Sequence, residues 1–293
     1  MCDPCREGQV SMVRQSKRVL VADQSATNRN KLTQLVRQLD VTADLTEVTT
    51  FEDCLGKFKK AQKQPYDLAL IGSFEEVDQT NLPMQLYDIG EETVIALIVD
   101  APNPDLFVNA VESSVYDCLV APVDLPSLER VMKRASLSRD PLPALIVDDT
   151  RVMRKVVMKV LGESQFALAI SEADSSEMAV SLCRKIPYYC VFLDLNMPVQ
   201  NGLETAKQIL RLQPQCRIVL MSTSNVDMDD KVAENGLACF LPKPFYPKDI
   251  NRLLHEFLGL EQPNLADPDF VGDKDAAEPS KDPGKDEREY ILV

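Results

Sequence analysis

The residues best suited to chemistry lie in the second half of the chain: Asp148-Asp149, Asp194, Ser222 and Lys243. Each stands at or just beyond the end of a short apolar run, at 144–147, 190–193, 218–221 and 239–241. If those runs are parallel strands, their carboxyl ends are where ligands bind, and the five side chains converge on one edge. Three carboxylates brought together repel one another and require a cation. All-oxygen ligation by such groups suits Mg²⁺.

The elements needed to position this set are legible as apolar runs separated by helical periodicity. A fifth run of the second half lies at 168–170, and helical patterns cover 152–161, 176–184, 203–212, 227–234 and 248–257. The first half carries runs at 18–21, 68–71, 94–99 and 118–120, with helical patterns at 29–39 and 125–135. Strands alternating with helices predict α/β units with a parallel sheet and right-handed crossovers. Residues repeat along with pattern: Pro65-Tyr66 answers Pro187-Tyr188, and Ala121-Pro122 answers Lys243-Pro244. The expected organisation is an N-terminal tail (1–16), a first domain (17–135), a linker (136–142), a second domain (143–260) and an acidic tail (261–293). That last segment is too poor in apolar residues to fold alone.

The second copy resembles the receiver domains of response regulators in two-component systems, and Asp194-Leu195-Asn196-Met197-Pro198 with Asn201-Gly202 is closest to the chemotaxis type. The resemblance implies two tandem flavodoxin-like (βα)5 domains. It makes Asp194 the nucleophile that takes a phosphoryl group from a phosphohistidine, giving an acyl phosphate. Asp149 would ligate Mg²⁺ directly, Asp148 through water, and Asn196 through its backbone carbonyl. Lys243 would pair with a phosphoryl oxygen. Ser222 would hydrogen-bond the phosphoryl group, and Phe240 would follow it inward as the switch aromatic; core packing is the other reading of Phe240, since an aromatic there is buried in either case. The lysine-proline bond of the family is cis, and Lys243-Pro244 permits that form.

The first copy lacks this equipment. Aligned by eye, Ala22-Asp23 stands for Asp148-Asp149, Gly72 for the nucleophile, Ala121 for the lysine and Cys118 for the aromatic. The strand-four hydroxyl becomes Val99 or Asp100. Without a carboxylate at 72 no acyl phosphate can form, so this copy reads as a pseudo-receiver with a docking or dimerisation role.

Composition sets outer limits. A net charge of −14 disfavours nucleic acid, which is bound through basic patches. No apolar run approaches the ~20 residues of a membrane span, and neither a secretory signal nor framework spacing among the eight cysteines is evident. The expected setting is the cytoplasm. Cys2 and Cys5 form a lone C-x-x-C, and the one histidine, His255, is read as a packing or surface residue. The terminal Tyr290-Ile291-Leu292-Val293 is a candidate docking peptide on a charged tether. The chain is thus expected to be no enzyme beyond its own phosphorylation and dephosphorylation. Its partners would be a sensor histidine kinase or phosphotransfer protein and a downstream protein. A phosphate sink or an unphosphorylated scaffold is the alternative.

Overall fold

Apolar runs of four to six residues become the central strands of two parallel sheets because both faces of each run are buried. In the computed structural model, which describes residues 16–61, 63–86, 93–137, 140–197, 201–223 and 236–267, each half of the chain forms one sheet. The first comprises β1 (Arg18–Ala22), β2 (Asp44–Val48), β3 (Leu68–Ile71), β4 (Val94–Val99) and β5 (Val115–Val120), in the order β2-β1-β3-β4-β5. The second comprises β6 (Leu142–Val147), β7 (Leu168–Ala173), β8 (Cys190–Asp194), β9 (Arg217–Ser222) and β10 (Cys239–Pro242). Its order, β10-β9-β8-β6-β7, is the same topology, and every pairing in both sheets is parallel. The strand order reverses beside β1 and beside β6, the place where doubly wound sheets bind ligands.

Helices cover both faces of each sheet. In the first unit these are α1 (Ala26–Leu39), α2 (Phe51–Lys60), the short α3 (Leu82–Gln85), α4 (Pro104–Val111) and α5 (Leu125–Ala135). Alternation along β1 divides the core: Leu20 and Ala22 join Phe51, Phe58 and Phe107, while Val19 and Val21 join Val36, Leu128 and Val131. In the second unit the described helices are α6 (Arg151–Gly162), α7 (Ser176–Cys183), α8 (Gly202–Leu212) and α9 (Pro247–Phe257). Polar residues start several helices by accepting a backbone N–H: Ser25, Thr50, Asn103, Asp124, Ser175 and Asn201. Each such cap is worth about 1 kcal/mol. Burial of a large side chain such as Phe107 or Phe192, both fully enclosed, contributes about 2 kcal/mol more.

Three sequence expectations are corrected. The strand β2 was not anticipated: it is an edge strand, Asp-Leu-Thr-Glu-Val, with only Val48 buried, so it carries no apolar run. The expected linker 136–142 ends inside the sheet, because Leu142 already donates to the Ala167 carbonyl at 2.9 Å. The acidic tail does not begin at 261. The described residues fall into two units, 16–137 together with 263–267, and 140–262, so a short segment beyond the second sheet belongs to the first.

Among the described residues six cysteines are free and buried, and burial pushes the thiols of Cys54 and Cys216 up to about 12. His255 is fully buried, packed edge-on against Phe166 with Nδ1 2.7 Å from the Asn251 carbonyl. Among the described residues no helix is long and apolar enough to cross a membrane. Cys2, Cys5, the helix expected at 227–234 and the terminal Tyr290 to Val293 lie outside the described residues.

Candidate functional site

Parallel strands of the second sheet deliver the singled-out residues to one edge. Asp148 follows the end of β6, Asp194 ends β8, Ser222 ends β9, and Lys243 follows β10. The Lys243 Nζ lies 2.8 Å from Asp148 Oδ2 and 2.8 Å from Asp194 Oδ1. All three side chains are nearly enclosed, with Lys243 at 8% exposure. Burial works against the ammonium, but the two carboxylates outweigh it and hold the Lys243 pKa above the ordinary lysine value. The lysine-proline peptide is cis, as the resemblance implied.

The remaining carboxylate oxygens are fixed from the backbone. Asp148 Oδ1 accepts from the Thr150 N–H at 2.9 Å, and Asp194 Oδ2 from the Asn196 N–H at 3.1 Å. Asn196 reaches further: its Nδ2 donates to the Ser222 Oγ at 3.1 Å, tying the β8 and β9 ends together. The Asn201-Gly202 pair also finds its reason. Asn201 caps α8, and a Cβ on Gly202 would stand 2.4 Å from the Asp194 carbonyl oxygen. Only glycine lets this helix begin so close to the strand end.

Asp149 and Phe240 are less enclosed than their neighbours. Asp149 is exposed while Asp148 is buried, so the inner carboxylate of the pair, not the outer, faces Asp194 across Lys243. Phe240, on the edge strand β10 between buried Cys239 and Leu241, is half-buried and packs against the core of the other sheet face. As for Mg²⁺, the donors at this edge are hard oxygens, which fits the ion by chemistry. Among the described residues no three acidic, histidine or cysteine side chains are gathered tightly enough to hold a metal by themselves. The Lys243 ammonium offsets part of the charge of Asp148 and Asp194 in this arrangement.

Sequence reading missed Arg154. Its Nη1 donates to the Asp148 carbonyl at 2.9 Å and its Nε meets Glu172 Oε2 at 3.0 Å, fixing the backbone of the acidic pair. The signal was present as a repeat, because Arg29 does the same to the Asp23 carbonyl at 2.8 Å and pairs with Glu47.

That repeat corrects the alignment of the two copies. Asp23 N–H donates to the Val48 carbonyl and its Oδ1 accepts from Ser25, as Asp148 does with Ala173 and Thr150. Asp23 is therefore the counterpart of Asp148, and Gln24 of Asp149; Ala22 is a strand residue matching Val147. The first copy has three more residues between its first and third strands than the second, which defeats a uniform offset. Register also identifies Val99, not Asp100, with Ser222: the Ala121 N–H donates to Val99 as the Lys243 N–H donates to Ser222, at 2.7 and 2.8 Å.

The first edge is filled by its own acid. Asp23 is buried, held by the N–H groups of Ser25 (2.7 Å) and Ser73 (3.4 Å) and by Asn28 Nδ2 (3.3 Å). A Cβ on Gly72 would stand 1.9 Å from Asp23 Oδ2. The carboxylate thus occupies the space that a side chain at position 72 would need.

Comparison with known proteins bears chiefly on the second unit. Residues 144–255 match the response regulator receiver domain family. The nitrate/nitrite response regulator protein NarL of Escherichia coli (strain K12) is 30% identical over 120 residues, 41% of this chain and 56% of that protein. A protein-glutamate methylesterase/protein-glutamine glutaminase of Azospirillum brasilense is 30% identical over 115 residues, 38% of this chain and 29% of that protein. The chain thus matches little more than half of the first and under a third of the second. Among solved structures, a two-component system response regulator/GGDEF domain protein superposes with a TM-score of 0.60 at 20% identity. That match covers 83% of this chain and 98% of the other, and it speaks for the fold alone. Two sheets of one topology fit tandem receiver domains.

Proposed function

We propose, from the premise that residues 144–255 form a response regulator receiver domain, that Asp194 is its phosphoryl acceptor and that the first unit accepts none. The observation that carries this reading is the enclosed Asp148–Lys243–Asp194 triad at the carboxyl ends of parallel strands. An Asp194 oxygen attacks phosphorus, the P–N bond of a donor phosphohistidine breaks, and the imidazole leaves carrying a proton. The donor is a sensor histidine kinase or phosphotransfer protein.

Each neighbour then has a task. Lys243, already within 2.8 Å of Asp194, exchanges part of its contact with the carboxylate for a phosphoryl oxygen. Ser222 trades the Asn196 amide for the phosphoryl group, which loosens the tie between the β8 and β9 ends. Mg²⁺, held by Asp148, Asp149 and the Asn196 carbonyl, would supply neutralisation of the charge on the transferring group. Phe240 is half-buried on β10, and its movement inward would carry the change to the β10–α9 surface, where another protein reads it.

The test is modification by a small phosphodonor with Mg²⁺, followed by intact mass. Wild type gains one phosphoryl group and Asp194→Asn gains none; modification that survives the substitution defeats the assignment.

A further inference from the structure

The first unit holds a segment of its own chain from far along the sequence. β5 is an edge strand, and an edge normally leaves backbone groups open to pairing. Here Cys118 has both groups taken. Its N–H donates to Asp117 Oδ1 at 2.8 Å, and its carbonyl accepts from Asn264 Nδ2 at 2.8 Å. The Asn264 backbone N–H then donates to the same Asp117 oxygen at 2.8 Å, closing a small ring of polar contacts along the edge.

Asp117 is built for this. Its side chain is fully buried, and Arg130 of α5 donates to Oδ2 through Nε and Nη2 at 3.0 and 2.9 Å. Oδ2 is thereby held by the guanidinium, and Oδ1 is presented to the edge. The next residue of the segment, Leu265, packs against the core cluster that contains Phe107 and Ala110 of α4. The segment adds no strand, since residues 264–266 form a turn of 3-10 helix; it is held instead by a side-chain amide on a strand carbonyl, a backbone N–H on a buried carboxylate and one apolar side chain against the core.

We propose that the first unit is a peptide-docking module whose ligand is the chain's own segment 263–267, held on β5 by the Asn264 amide and beside α4 by Leu265. The segment follows α9, the last helix of the second unit, within a few residues, and belongs to the first unit. This inference stands independently of the role given to Asp194.

The experiment is amide hydrogen exchange on the full chain, comparing wild type with a variant carrying Asn264→Pro and Leu265→Asp. Exchange of the β5 amides rises about tenfold or more in the variant, while β6 and β8 keep their protection. A synthetic peptide spanning residues 261–267 restores the protection of β5 in the variant and leaves wild type unchanged. Unchanged β5 exchange in the variant, or a peptide that restores nothing, overturns the proposal. If the double variant loses protection throughout the first unit, Asn264→Gly serves instead. It keeps the backbone N–H and removes the side chain with its amide, and the rise must then be confined to the neighbourhood of Cys118; no rise there also overturns the proposal.

Discussion

The two sheet edges of this protein solve one electrostatic problem in opposite ways. Each carries a buried aspartate after its first strand, Asp23 and Asp148, and each must neutralise or hydrogen-bond it. In the second unit a lysine ammonium stands between Asp148 and a second carboxylate, Asp194. In the first, position 72 is glycine and position 121 alanine, and Asp23 turns over Gly72 to be held by backbone N–H groups and an asparagine. The absence of a carboxylate at position 72 and the absence of a lysine at position 121 are therefore one structural change. With no second carboxylate there is no need for a cation, and the vacated space is taken by the remaining acid. The arginine that fixes the backbone, Arg29 or Arg154, is common to both units and belongs to the fold rather than the reaction.

That contrast can be strained from the lysine side first. Lys243→Ala leaves Asp148 and Asp194 facing each other without their cation, and the unfolding transition of the second unit should lose about 3 kcal/mol. Part of that loss should return when Mg²⁺ is added, as a denaturation series with and without the ion would show. A second-unit transition that does not move would mean the triad is not the electrostatic centre described here.

The first unit offers the reciprocal test. Gly72→Ala places a Cβ 1.9 Å from Asp23 Oδ2 and should cost about 2 kcal/mol as the carboxylate is forced off its N–H partners. Combining it with Asp23→Ser should recover more than half of the cost, a coupling that a double-mutant cycle measures. Additive effects would show that Asp23 does not fill the space above position 72. For the same reason Gly72→Asp alone should yield no second phosphorylation site by intact mass.

The smallest effect concerns the tie between β8 and β9. Ser222→Ala removes the acceptor of the Asn196 amide and should cost about 1 kcal/mol of second-unit stability. It should also weaken the response of Phe240-adjacent resonances to phosphorylation, followed by NMR. An unaltered response would place the coupling elsewhere.

Much of this was legible in the sequence, for definable reasons. Buried parallel strands are apolar on both faces, so β3, β4 and β8 announce themselves, and the residue after each run is fixed at the sheet edge by chain geometry alone. What failed was whatever depends on partners distant in sequence. The strand β2 is polar because an edge strand has one neighbour and little burial. The pairing of Asp23 with Asp148 needed the register of the sheets, because loop lengths differ between the copies. The docked segment at 263–267 has no apolar run of its own and is held by Asp117, about 150 residues earlier. Its neighbours in sequence give no hint of it.

The central claim is that one edge accepts a phosphoryl group and the other does not. Borohydride reduction after treatment with a phosphodonor and Mg²⁺ converts an aspartyl phosphate to homoserine, which peptide mass mapping locates. The account predicts homoserine at position 194 and at no aspartate of the first unit. Homoserine at position 23, or none at position 194 in a chain shown to be modified, would contradict it.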